Sequence, residues 1–155
     1  MSQTTPIDQL IVDEIARLLR AISVDDGYRT NAGAGVLTEE SLESIADDAI
    51  TIEIIDDVET LDSQSRAYRR GKLSLKLNID IPKGSSSRAV ARNVLADVRR
   101  ALTVEPRQLP SGFTGLEIGG RNLPPREDGS QFITATLNLA ASFNEQQQAV
   151  PANNP

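Results

Sequence analysis

The amino-acid sequence predicts an α+β domain, with two helices packed on one face of a mostly antiparallel (mixed) sheet of roughly four to five strands and a long hairpin arm. Three observations carry this. Two stretches repeat apolar residues at three- and four-residue steps, and others alternate apolar with polar residues. The order is helix, strands, helix, strands, with hairpins in place of regular βαβ units and no internal repeat. Residues 1–143 read as one domain and 144–155 as a disordered polar tail.

The first helix is predicted from about Pro6 to Ile22, where Ile7, Leu10, Ile11, Ile15, Leu18, Leu19 and Ile22 share one face. Thr5 is placed as an N-cap, Pro6 suits the first helical position and Asp8 puts a carboxylate in the first turn. Asp25-Asp26-Gly27 turns the chain. Tyr28 to Thr30 reads as a short strand entering a flexible stretch, Asn31 to Gly35, and Thr38 to Asp48 as either one helical turn or a loop. Ala49 to Ile55 alternates Ile50, Ile52 and Ile54 with polar residues, and Leu73, Leu75, Leu77, Ile79 and Ile81 form a second alternation. These two strands pair as a hairpin across Asp56 to Gly71, a polar segment too long for a tight turn.

Ser85-Ser86-Ser87 caps a second helix, about Arg88 to Leu102, with Val90, Ala91, Val94, Leu95, Val98, Ala101 and Leu102 inward. Pro106 and Pro110 keep it from continuing. Leu116 to Ile118 is a short strand and Pro124 to Gly129 a rigid loop. The last strand, Gln131 to Phe143, turns Ile133, Ala135, Leu137, Leu139, Ala141 and Phe143 inward. The tail beyond it has no apolar face to bury, so truncation after Phe143 is expected to leave the melting midpoint unchanged.

Composition removes most chemistry. With no His, Cys or Trp and a single Met, the chain lacks the usual general base, the usual thiolate nucleophile and nearly all soft metal ligands. Aromatic content of 3% leaves little stacking surface. A net charge of −6 disfavours duplex DNA binding as the main activity. Arg66, Arg69, Arg70 and Lys72, and then Arg88, Arg92, Arg99 and Arg100, read as solvated faces or as patches facing an acidic partner copy. The start of the chain has no signal-peptide pattern, and no apolar run is long enough to span a bilayer, so a soluble protein is expected.

The acidic doublets Asp25-Asp26, Asp47-Asp48 and Asp56-Asp57 could hold a hard cation only where they converge, and turn capping accounts for them more simply. Gly33-Ala34-Gly35 lacks the rest of a phosphate loop. The serines at 85–87 have no histidine to activate them, only a lysine such as Lys83. A nuclease strand fails at Glu53, which is followed at the required step by Ile55 where a lysine would stand. A carboxylate-dependent metal hydrolase is the enzyme class that remains; no catalytic, cofactor or metal residue is assigned.

Two strings carry a resemblance: Asp26-Gly27-Tyr28-Arg29-Thr30-Asn31-Ala32-Gly33 after the first helix, and Leu95-Ala96-Asp97-Val98-Arg99-Arg100-Ala101-Leu102 closing the second. With Glu127-Asp128-Gly129-Ser130 leading into the long final strand, the succession resembles the tail terminator (tail completion) proteins of long-tailed bacteriophages over residues 7 to 143. It departs from them at Leu42 to Asp48, acidic where a Leu-Pro entry to the next strand is expected. The resemblance implies a non-enzymatic virion protein of the tail and neck, assembled in the host bacterial cytoplasm. It implies a ring of identical copies, six in number, that caps the tail tube, stops its growth and meets the head-side connector. Where the tail is contractile, the sheath is a further partner, and DNA passes through the ring without specific binding. Another neck ring, a head–tail connector, is the neighbouring reading.

The residues placed at the subunit or tube interface are Asp56, Asp57, Glu59 and Asp62 at the start of the long connection and Arg66, Arg69 and Arg70 at its end. Opposite charges on two sides of one segment suit head-to-tail contact between copies, and the segment is expected to be mobile in the monomer and ordered in the assembly.

Overall fold

The computed structural model describes residues 5–39, 49–84, 87–103, 108–125 and 131–146. Its elements are α1 (Ile7–Arg20), β1 (Val36–Thr38), β2 (Thr51–Gln64), β3 (Tyr68–Pro82), α2 (Ser87–Leu102), β4 (Phe113–Asn122) and β5 (Phe132–Gln146). The five strands form one sheet in the order β1-β2-β3-β5-β4. β1 and β2 are parallel, and the other neighbouring pairs are antiparallel. Because β3 and β4 both run against β5, they are parallel to each other, and α2 is the crossover between them. The predicted α+β class is the observed one.

The core lies between the helices and one sheet face. Ile11, Ile15 and Leu19 of α1 and Ala91, Val94, Leu95, Val98, Ala101 and Leu102 of α2 meet the inward side chains of β2, β3 and β5. Every inward position predicted for β3 and β5 is buried, from Leu73 to Ile81 and from Ile133 to Phe143. The opposite face carries Lys72, Ser74, Lys76, Asn78 and Asp80 beside Thr134, Thr136, Asn138 and Ser142. There the Thr134 hydroxyl donates to Asp80 Oδ1 at 2.6 Å.

Several local expectations change. α1 has Pro6 at its N-cap and no side-chain cap, so Thr5 does not serve. The Ile7 N–H instead donates to Glu145 Oε2 of β5 at 2.9 Å, which fills the capping role from across the fold. Residues 28–30 form no strand, because the Tyr28 N–H donates to the Ser23 carbonyl and the Arg29 and Thr30 N–H groups to Asp97 on α2 rather than to a ladder. The stretch expected to be flexible is a tight 3-10 turn, Ala32–Gly35, with Ala32, Gly33 and Gly35 buried. At Gly35 an added Cβ would lie 2.0 Å from the Ile50 carbonyl oxygen, so the chain passes there by having no side chain. β1 follows at once, three residues too short to show a period. β4 extends well beyond Leu116 to Ile118, since its bulge between Ile118 and Arg121 breaks the alternation. β5 continues three residues past Phe143. The readings placed on 40–48, Ser85, Ser86, Pro106, 126–129 and the tail from 147 lie outside the described residues.

The largest correction concerns Asp56 to Gly71. It is no long connection: β2 runs to Gln64, β3 begins at Tyr68, and only 65–67 turn the chain. The Ser65 N–H donates to the Tyr68 carbonyl at 2.8 Å, and Ser65 Oγ accepts from the N–H groups of Ala67 and Tyr68 at 3.1 and 3.2 Å. Register shifts between Asp56 and Glu59 and between Leu61 and Ser63 interrupt the two-residue period, which hides this half of the hairpin from a periodicity reading.

Candidate functional site

Among the described residues the outer half of β2 is an edge. β1 pairs only with Ile52, Glu53 and Ile54, so from Ile55 to Gln64 β2 has β3 on one side and no described strand on the other. Such an edge offers a row of backbone donors and acceptors, normally blunted by charge and bulges, and both are present here. Asp56, Asp57, Glu59 and Asp62 stand on it with no cation between them. Among the described residues the exposed large hydrophobic side chains are Val24 (53% exposed), Val58 (55%), Leu61 (40%) and Tyr68 (40%), and three of these four lie on the hairpin.

The structure brings some of the expected interface residues together within one chain. Arg69 Nη1 donates to Glu59 Oε1 at 2.9 Å, and its Nη2 and Nε donate to Glu145 Oε1 at 2.7 and 3.2 Å. Its guanidinium also lies 5.7 Å from the Phe143 ring centre. The bond to Glu145 leads in holding the Arg69 pKa above its ordinary value. Arg69 therefore ties β2, β3 and β5 together in the monomer. Asp56, Asp57, Asp62, Arg66 and Arg70 make no ion pair among the described residues. The Asp56 carboxyl is pushed up from the usual range, first by partial burial and then by Glu39 and Asp8.

Glu145 thus joins the start of α1 to Arg69 of β3, and it lies in the segment that reads from sequence as tail. A chain ended at Phe143 is expected to melt several degrees lower, contrary to the sequence expectation. Glu145→Ala should reproduce most of that loss, about 1–3 kcal/mol for removing charge-assisted bonds that are partly buried. Thermal melts of the two variants beside the full chain check this, and a truncated chain melting with the parent would show that Glu145 holds nothing.

The two strings that carry the family resemblance meet in space. Asp97 is fully buried on α2. Its Oδ1 accepts from the Arg29 N–H at 3.1 Å, and its Oδ2 accepts from the Thr30 N–H at 2.8 Å and the Thr30 hydroxyl at 2.7 Å. One turn along, the Arg100 guanidinium sits 4.7 Å from the Tyr28 ring centre, and its Nη1 donates to the Gly27 carbonyl at 2.8 Å. Gly27 has φ 89°, the left-handed conformation that favours glycine. Each contact fastens the segment after α1 onto α2, which is a folding role. Asp26 likewise belongs to a turn, its N–H and carboxylate both meeting Ser23 Oγ.

Among the described residues no three His, Cys, Asp or Glu converge to hold a metal ion. No described helix is long and apolar enough to cross a membrane. What the surface offers is therefore an acidic, partly apolar strand edge on a hairpin tied down near its turn by Arg69.

No family model matches the chain, and no curated protein matches it. Among solved structures it is similar to a chain from the virion of a native gene transfer agent particle, with a TM-score of 0.58 at 17% identity, over 84% of this chain and 92% of that one. A second solved chain aligns over 94% of this one and 98% of itself at 15% identity, with a TM-score of 0.49. At 17% identity, what this chain shares with the virion chain is its fold, over most of the length of each.

Proposed function

We propose that this chain is a structural protein of a phage-like virion, and within it the tail terminator: a ring of six copies seated on the finished tail tube, facing the head-side connector. The observation that carries the reading is the fold likeness to a gene transfer agent virion chain over nearly the full length of both. The succession of elements and the strings at 26–33 and 95–102 support the finer assignment, as does an open strand edge of the kind that identical copies can use to associate. The work of such a protein is assembly, and DNA passes through the ring without specific contact, in keeping with a net charge of −6. Its place is the tail and neck of the particle, built in the host bacterial cytoplasm, and a sheath is a further partner if the tail contracts.

Mixing the purified protein with tubes assembled from the matching tail tube protein, followed by electron microscopy, tests this. Rings on one end of each tube and an arrest of tube growth are expected. Bare tube ends and a protein that stays monomeric throughout would overturn the reading. Rings bound only to the head-side portal would replace the terminator by a connector.

A further inference from the structure

The ring reading leaves open which surfaces meet, and the charge on two elements points to an answer. The edge run of β2 from Ile55 to Gln64 carries four carboxylates and no cation; Glu59 is held by Arg69 of β3, which leaves Asp56, Asp57 and Asp62 without an ion pair among the described residues. α2 carries four arginines, Arg88, Arg92, Arg99 and Arg100, and its one acid, Asp97, is buried and turned inward. Arg92, Arg99 and Arg100 are exposed, with the small Ala89 exposed one turn from Arg92. Arg88 and Arg100 donate to backbone carbonyls of Pro124 and Gly27, and among the described residues none of the four arginines has a carboxylate partner. α2 packs against α1 and over β5, β3 and β4, whereas the β2 edge lies on the far side of β3.

We infer that the ring closes head to tail, with the open β2 edge of one copy docking on the arginine face of α2 of the next copy. A contact between two different patches of the same chain is the kind that generates rings. Opposite sign on the two patches fixes which side meets which and disfavours edge-to-edge pairing of two acidic strands. Val58 and Leu61 would bury against the arginine stems and Ala89, which gives their exposure a use.

This rests on the ring reading, and one experiment separates the two. Two full-length variants are made, Asp57→Lys with Asp62→Lys, and Arg92→Glu with Arg99→Glu. All four side chains are exposed and unpaired among the described residues, so both variants should keep the parent's circular dichroism and melting midpoint. Ring content is read by sedimentation velocity and by imaging on tube ends. The parent is expected to form rings, each variant alone to assemble at least ~10-fold more weakly because like charges now face each other, and an equimolar mixture to recover rings of alternating copies. Parent assembly should also weaken as salt rises. A parent that forms no ring overturns the ring reading and this contact with it. Rings from the parent and equally from either variant, or no recovery in the mixture, overturn the contact alone.

Discussion

Replacing Asp97 by Ala is expected to destabilise the fold by about 3–5 kcal/mol, the range seen when one partner is removed from a buried charged network. The carboxylate is fully buried and accepts from two backbone N–H groups and one hydroxyl, with the Arg29 guanidinium at 3.9 Å. Alanine leaves all three donors without an acceptor, and each stranded group costs about 1–3 kcal/mol before water or relaxation recovers part of it. Asn keeps the shape but points an amide N–H at a donor, so Asp97→Asn should lose less, about 1–3 kcal/mol. Urea unfolding of the two variants, with Arg100→Ala as a more exposed comparison, gives the order Ala, Asn, Arg100→Ala from largest loss to smallest. A cost below about 1 kcal/mol for Asp97→Ala would mean that the segment after α1 is held by packing alone.

That clasp also shows where sequence reasoning reaches and where it stops. The long apolar periods of α1, α2, β3 and β5 are visible because each buries one continuous face, and their inward residues are those the pattern names. Asp97 breaks such a period: it sits among Val94, Leu95, Val98 and Ala101 on the buried side of α2, and an acid within an apolar stripe is itself a sign of a buried partner. Which donors it serves depends on a segment 67 and 68 positions away, which no local pattern encodes. The outer hairpin was hidden for a different reason. Two register shifts and exposure of both faces leave β2 beyond Ile55 with no alternation, so its sequence has the pattern of a linker. The sign split along 56–70 was legible, but Arg69 spends its charge on Glu59 and Glu145 within the chain. Glu145 escaped because a polar strand end and a polar tail have the same composition.

Gly33→Ala is expected to cost about 3 kcal/mol or more, at the upper end for overpacking, although the change adds a single methyl group. The backbone there is not left-handed, so conformational preference is not the cause. The new Cβ would lie 2.6 Å from the carbonyl oxygens of Arg20 and Ile22 and 2.8 Å from that of Leu19. All three belong to the backbone where α1 ends, and the Gly33 N–H already donates to the Ile22 oxygen at 3.0 Å, so neither side can give way without loss. A residue three positions on, Val36, begins the pairing of β1 with β2, and pushing the turn away from α1 should loosen β1 and lengthen the open edge of β2. Gly120→Ala is the matching control: nothing lies within 4 Å of its Cβ position and its φ is not positive, so the change should be neutral or slightly stabilising. For a chain of this length about 3 kcal/mol corresponds to a fall of roughly 6–12 °C in the melting midpoint. Calorimetry of the pair should show that fall for Gly33→Ala and none for Gly120→Ala. Hydrogen exchange should further show the lost protection concentrated in β1 and its β2 partners, and two variants melting together would mean that the turn is not wedged against α1.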